Sequence, residues 1–251
     1  MSILKRIGAV LAALAITILP AASTAMSVQP VVIDMTTSGR GMSATMTVEN
    51  SFTTPLPVEL TVQELSFDEN GVTPTGVDPG DLLIFPPQAI IEPGRTQSFR
   101  VQWVGDPEIA RSKHYYITVA QLPVELPEGQ SGIQILYNFQ TVVSVAAPGG
   151  RAELSVVSVE PVEQDGKAVV SLLVKNEGNN YDYVSRQRLA LEMRNPGGEK
   201  IFERTLTGAE IQQIAGFGLI GPETQRRLVI PIELPQADGV LTAELTRDQD
   251  R

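Results

Sequence analysis

The chain has 251 residues, a formal net charge of −10 and no cysteine. The acidic balance argues against nucleic acid and against anionic membrane surfaces as partners. Because no disulfide can form, a packed core must stabilise the fold, and 251 residues are enough for two domains of ordinary size.

The first 25 residues predict a secretory signal peptide. Lys5 and Arg6 precede the apolar run IGAVLAALAITIL, which is too short to span a membrane, and Ser23 and Ala25 occupy the positions that a signal peptidase reads. We predict cleavage after Ala25, in preference to an uncleaved anchor, and no membrane insertion of the mature chain. Removal of residues 1–25 takes away Lys5 and Arg6 but no acidic residue, so the formal net charge of the mature chain would be −12.

Seven β segments follow, each rich in β-branched or aromatic residues and bounded by Gly, Pro, Asn or Asp. Their number and spacing predict an immunoglobulin-like sandwich over residues 26–147. The segments are PVVIDM, MSATMTVEN, PVELTVQELSF, DLLIFPPQAII, RTQSFRVQWV, HYYITVAQL and IQILYNFQTVVSV.

A second β series predicts a smaller sandwich over residues 148–251, after the corner AAPGGR. The stretch TGAEIQQIAG predicts one or two helical turns. The segments are AELSVVSVEPV, KAVVSLLVKN, RQRLALEMRN, EKIFERTL, RRLVIPIEL and GVLTAELTR.

The sequence offers little chemistry. His114 is the only histidine and lies on a predicted strand, where we interpret it as a structural residue at an edge or at the rim of the core. No base is placed to activate a serine, and zinc or copper would require several His or Cys. FDENGV at residues 67–72 predicts a hairpin turn rather than a calcium loop. We therefore predict no enzyme activity, no metal and no cofactor.

The segment GIQILYNFQTVVSV, residues 132–145, is nearly uncharged and carries mostly apolar side chains at alternate positions. Such a strand aggregates if it is exposed. Two interpretations stay open: an ordinary last strand whose face is buried in its own domain, or a strand that a partner covers.

Three motifs occur in the order found in a known family. FPPQAIIEPGRTQSFRV contains an apolar-Pro-Pro run and a Pro-Gly turn, ARSKHYYITVAQLPV contains an aromatic pair and a later proline, and GIQILYNFQTVVSV follows. This order resembles the periplasmic chaperones of the chaperone–usher pathway, which assemble pili. The matching residues are Pro86, Pro87, Pro93, Gly94, Arg100, Tyr115, Tyr116 and Pro123.

The resemblance implies two immunoglobulin-like domains set as an L around a cleft, in the periplasm of a Gram-negative bacterium. It implies donor-strand complementation, in which the last strand of the first domain completes a pilin-like fibre subunit before delivery to an outer-membrane usher. The residues that would fill the subunit's groove are Ile133, Ile135, Tyr137 and Phe139. A self-capping dimer of the free protein is a further expectation, because an uncovered strand edge tends to pair with another chain.

The chain departs from the family where a cationic pair would hold the subunit's terminal carboxylate. The matching positions are Val31 and Val143, with Val142 as the alternative to the second. The family's interdomain ion pair is also missing, since Ser112 and Ala146 stand at its positions. The resemblance therefore implies a divergent branch, in which Arg40, Arg151 or Arg186 would replace these cations.

Two other function classes remain open. The first is a secreted structural or adhesive protein of two immunoglobulin-like domains. The second is a β-sandwich accessory protein for carbohydrate or metal, although this class needs clusters of His, Met or aromatic residues that the sequence does not show.

Overall fold

The structure is a computed structural model, and it describes residues 25–123 and 135–247. Alternation of buried and exposed residues along the strands produces two β domains, each with its own hydrophobic core. The strands of the first domain are β1 (Met26–Gln29), β2 (Val32–Thr36), β3 (Ser43–Asn50), β4 (Leu56–Asp68), β5 (Gly71–Pro74), β6 (Leu82–Phe85), β7 (Gln88–Ile91), β8 (Thr96–Trp103), β9 (Lys113–Gln121) and β10 (Asn138–Ala146).

The first domain is a sandwich of two sheets. One sheet has the order β1-β3-β8-β6, and the other has the order β2-β10-β9-β4-β5, with β7 also pairing with β4. The chain crosses from the first sheet to the second at Pro30, between β1, which is antiparallel to β3, and β2, which is parallel to β10. Phe99, Trp103 and Tyr115 are among the largest buried side chains between the sheets.

The second domain contains three small sheets with the orders β11-β12-β17, β13-β16 and β15-β14-β18. Its main core contains Leu172, Leu189 and Met193, all fully buried. The strands are β11 (Leu154–Gln164), β12 (Lys167–Asn176), β13 (Asp182–Tyr183), β14 (Gln187–Arg194), β15 (Lys200–Leu206), β16 (Leu219–Ile220), β17 (Gln225–Ile230) and β18 (Val240–Arg247).

The predicted helical turns form the helix α1 (Gly208–Ala215). Thr207 caps it by accepting from the Glu210 amide at 3.3 Å, and the Glu210 carboxylate accepts from the Thr207 amide at 2.8 Å. This reciprocal pair satisfies two amides that the first helical turn leaves without partners.

Two predicted segments need correction. DLLIFPPQAII is two strands in different sheets, because Pro86 and Pro87 lack the amides that a continuous ladder requires. The first predicted segment, PVVIDM, contains only β2, and β1 lies before it on the other side of Pro30, where no strand was predicted. FDENGV is confirmed as a hairpin turn: the Asp68 carboxylate accepts from the amides of Asn70 and Gly71 at 2.8 and 2.9 Å.

Candidate functional site: an open strand edge beside the interdomain cleft

The residues that lead into β10 are exposed, and those near its end are buried. The exposed fraction is 69% for Ile135 and 40% for Tyr137, whereas Val143 and Val145 have none. Phe139 is half-buried and packs against the core of the first domain. Ile133 lies outside the described residues. The strand therefore changes from a core strand to an uncovered apolar segment toward its N-terminal end.

Tyr137 is held in place although its ring is accessible. The Gln121 amide donates to the Tyr137 carbonyl at 3.0 Å, and the Tyr137 amide donates to the Gln121 side chain at 3.3 Å. The Tyr137 ring lies 5.8 Å from the ring of Phe52, measured between centroids. The exposed segment is thus presented in an extended line with β10.

One side of β10 has no strand beside its first residues within the described chain. Strand β9 pairs with β10 from Asn138 to Val145, but the parallel pairing with β2 begins only at Val142. The Val142 amide donates to the Val31 carbonyl on that second side, at 3.0 Å. Because main-chain groups alternate along a strand, those of Asn138 and Gln140 point to the same side. We call this side of Asn138–Gln140 the open edge.

The open edge leads into a cleft between the two domains. A cavity of about 260 Å³ in this cleft is lined by residues of β2 and of the segment that contains β13. Val31 lines it with 54% of its surface exposed, so one position of the family's carboxylate anchor does face the cleft. The lining residues are Pro30, Val31, Val32, Asp34, Tyr183, Ser185, Arg186 and Phe217.

Val143 is not a cleft position. Its side chain belongs to the core of the first domain, whereas Val142 packs in a cluster at the junction with Tyr181, Tyr183 and other residues of the second domain. Neighbouring residues of a strand face opposite sides, so the two valines cannot share one environment. Assignment of Val143 to the cleft is therefore wrong, and Val142 is the junction residue.

The junction is bridged by ionic and hydrogen-bonded contacts, although the family's ion-pair positions are not charged here. The Asp34 carboxylate accepts from the hydroxyls of Tyr181 and Tyr183, at 2.8 and 2.9 Å, and pairs with the Arg186 guanidinium. Arg186 also lies 3.6 Å from Asp182 and 4.5 Å from the centroid of the Tyr183 ring. The ion pair is thus absent at the family's positions, and Arg186, one of the three arginines expected as replacements, forms an interdomain ion pair with Asp34 instead.

Burial, followed by the Asp34 carboxylate, raises the pKa of both tyrosines. The two hydroxyls therefore stay protonated and donate to Asp34 throughout the physiological pH range. Burial lowers the pKa of Arg186 while Asp34 and Asp182 raise it, and the net shift is upward. The Asp34 carboxylate therefore accepts from three side chains of the second domain, those of Tyr181, Tyr183 and Arg186.

A second ionic bridge joins the two domains at the hairpin between β4 and β5. The hairpin between β4 and β5 presents Glu69 to β17, where Arg227 donates two hydrogen bonds to its carboxylate, at 2.6 and 2.9 Å. The Arg227 amide also donates to the Glu69 carbonyl. The two domains are thus joined by two separate ion pairs, Asp34 with Arg186 and Glu69 with Arg227.

His114 lies inside the junction, not at an edge or at the rim of the core. Its ring nitrogens are 3.1 Å from the Ser112 hydroxyl and 3.0 Å from the Ser144 hydroxyl, and its ring meets those of Phe67 and Tyr181 edge-on. Burial lowers the pKa of His114 to about 3. A neutral imidazole whose two nitrogens both have hydroxyl partners thus links the two domains.

Across residues 25–123 and 135–247, no three His, Asp or Glu side chains come together as metal ligands. In the same residues, no helix is both long enough and apolar enough to cross a membrane.

The fold, with two β domains that meet at a cleft, is similar to that of solved fimbrial chaperones. No protein-family model and no curated protein matches the sequence. The solved class 5 fimbriae chaperone CfaA matches with a TM-score of 0.52 at 10% identity, over 88% of this chain and 99% of that one.

A chain from the chaperone–tip adhesin complex of CFA/I fimbriae biogenesis matches with a TM-score of 0.51 at 11% identity, over 88% of this chain and 98% of that one. At these identities the likeness establishes a shared fold.

Sequence reasoning missed Asp34, Tyr181 and Tyr183. One signal was present: Asp34 interrupts an apolar run, and the stretch YDYV places two tyrosines around an acid just after a loop. Polar groups in such positions are buried only when partners satisfy them, but the partners lie 147 and 149 residues away.

Proposed function

We propose that this protein is a periplasmic chaperone that captures pilin-like fibre subunits by donor-strand complementation. The observation that carries the proposal is the open edge at Asn138–Gln140, continuous with the exposed apolar side chains of Ile135 and Tyr137. An unpaired edge in line with exposed apolar residues is what an incomplete β sandwich needs for its missing strand.

Main-chain pairing would supply affinity that does not depend on the subunit's sequence, through the groups of Asn138 and Gln140. Side chains at alternate positions would then enter the groove. Full burial of an Ile or Tyr side chain contributes about 1.5–3 kcal/mol before the cost of ordering is subtracted. Ile133, Ile135 and Tyr137 remain the proposed groove residues, and Phe139 divides its surface between the groove and the chaperone's own core.

The cleft would receive the end of the subunit, without the cationic clamp of the family. Val31 is apolar, and Arg186, the only cation lining the cleft cavity among the described residues, is already paired with Asp34 and Asp182. Affinity in this proposal therefore depends on strand pairing and apolar burial. Export through the predicted signal peptide would place capture in the periplasm, and delivery to an outer-membrane usher completes the proposal.

The experiment is copurification of the tagged mature protein with a coexpressed fibre subunit from the periplasm. We expect an equimolar complex with the wild type and its loss with Gln140→Pro. Proline removes the amide that points to the open edge and leaves the pairing with β9 intact, so the free variant should stay folded. The matched control is Ile90→Ala, a change at another exposed site, which should leave the complex intact.

Equal recovery of the subunit with the wild type and Gln140→Pro would contradict donor-strand pairing at this edge. Failure of the wild type to retain any subunit, with the protein found instead in a polymer or at the cell surface, would favour a structural or adhesive protein.

A further inference from the structure

A second cavity lies on the second domain beside the corner that joins the two domains. Its volume is about 390 Å³ and its walls include the side chains of three arginines, Arg151, Arg186 and Arg247. We call it the arginine pocket. Its other lining residues are Gly150, Ala152, Asn180, Tyr181 and Asp182.

The three arginines reach the pocket from separate parts of the chain. Arg151 is the last residue of the corner AAPGGR, Arg186 ends the short 3-10 turn Val184–Arg186, and Arg247 ends β18. This convergence is a product of the tertiary fold and not of a basic run in the sequence. It stands out in a chain whose net charge is −10.

The positive charge of the pocket is only partly neutralised. Arg186 is paired with Asp34 and Asp182, but the guanidinium groups of Arg151 and Arg247 form no hydrogen bond or ion pair with any described residue. Both side chains belong to exposed residues, so they are available to a ligand.

Like charges that surround one cavity repel each other, and a bound anion relieves this repulsion. The guanidinium group is planar and presents paired N–H donors that match two oxygens of a carboxylate or a phosphate. Two guanidinium groups that line one cavity without acidic partners among the described residues therefore favour an oxyanion over a neutral or cationic ligand.

We propose that the arginine pocket binds an oxyanion of the carboxylate or phosphate class through Arg151 and Arg247. Arg186 forms part of the wall, and its charge is offset by its pairing with Asp34 and Asp182. The site is separate from the open edge, and it does not depend on the proposed chaperone function.

The experiment is calorimetric titration of the mature protein with inorganic phosphate and, in a separate arm, with acetate. We expect saturable binding of at least one of these probes. Affinity should fall at least tenfold in the double variant Arg151→Gln/Arg247→Gln. Because these side chains contact no described acid, the melting temperature of the variant should stay close to that of the wild type. Tighter binding of phosphate would assign the phosphate class, and tighter binding of acetate the carboxylate class.

The matched control is Arg40→Gln, which removes an exposed cation of the first domain and should change the affinity less than twofold. Absence of saturable binding with both probes overturns the proposal. An equal loss of affinity in the Arg40 variant also overturns it, since the effect would then reflect the overall charge and not the pocket.

Discussion

The carboxylate of Asp34 accepts a hydrogen bond of 2.9 Å from the hydroxyl of Tyr183, 149 residues further along the chain. Asp34 belongs to β2, which pairs directly with β10, and Ser144 of β10 is its partner in the register. The Ser144 hydroxyl lies 3.3 Å from the same Tyr183 hydroxyl. The contact that joins the domains is thus also attached to the strand that carries the open edge.

Replacement of Asp34 by Asn should loosen the junction. Asn keeps the shape of the Asp34 side chain but has no charge, and one of the two carboxylate oxygens becomes an NH2 donor. Because Tyr181, Tyr183 and Arg186 all donate to Asp34, at least one of these three side chains would lose its acceptor. Because Asp34 is partly exposed, we expect a loss of about 1–2 kcal/mol in the free energy of unfolding. Urea unfolding measures it, and small-angle scattering should show a wider distribution of domain orientations.

The control for this change is Glu92→Gln, which removes an exposed charge elsewhere in the first domain. If Asp34→Asn and Glu92→Gln unfold at the same urea concentration, the Asp34 contacts contribute nothing measurable to the junction.

Ile135 should matter for subunit capture and not for folding. Ile135 and Ile90 are both 69% exposed, so Ile→Ala at either position should change the free energy of unfolding by less than about 0.5 kcal/mol. Val145 is fully buried, and Val145→Ala should cost about 2 kcal/mol because it leaves a cavity. Calorimetric melting of the free variants, together with subunit yield from periplasmic extract, separates the two effects.

Only Ile135→Ala should lower the yield without lowering the melting temperature. Ile90→Ala should behave as the wild type, and Val145→Ala should lose yield only in proportion to its stability. An Ile135 variant that melts as low as the Val145 variant would show that β10 is an ordinary core strand at this end too.

The free protein should associate with itself through the open edge, because unpaired strands with apolar neighbours attract further strands. Sedimentation velocity over a range of concentrations should detect this association, and Ile135→Glu should weaken it by placing a charge in the contact. Ile90→Glu is the control with equal exposure. A strict monomer in all versions rules out self-capping and leaves the proposal of subunit capture unaffected.

His114 should make the protein acid-sensitive. Its pKa is 6.5 in the unfolded chain and about 3 in the buried site, so the folded state binds the proton less well. Its contribution to stability is intact above pH 6.5 and decreases as the pH falls toward 3. Between about pH 7.5 and about pH 5 the loss from this group alone is about 2 kcal/mol.

His114→Gln should remove that part of the pH dependence, since Gln can bond to both serines and does not titrate. The free energy of unfolding is measured by urea titration at both pH values for the wild type and for the variant. The change in this free energy between the two pH values is then compared for the two proteins. Identical differences in the two proteins would mean that carboxylates elsewhere account for the whole acid response.

The sequence by itself determined most of the strands, the principal turns and the fold class, because these depend on local patterns. Alternating apolar residues and boundaries of Gly and Pro defined the strands, and Asp68 before Asn70 and Gly71 defined a turn that closes through its own side chain. Thr207 and Glu210 determined where the helix begins, since each caps the other within one turn.

Only the tertiary structure decided which part of β10 is open and how the domains are joined. Alternation shows that Val142 and Val143 face opposite sides, but which side is core depends on the sheets packed there. The open edge exists because the chain crosses between sheets at Pro30 and β2 pairs only from Val142 onward. Asp34 contacts Tyr183 and Arg186, which lie about 150 residues further along the chain. Contacts between residues so far apart in the sequence leave no periodic pattern from which they could be predicted.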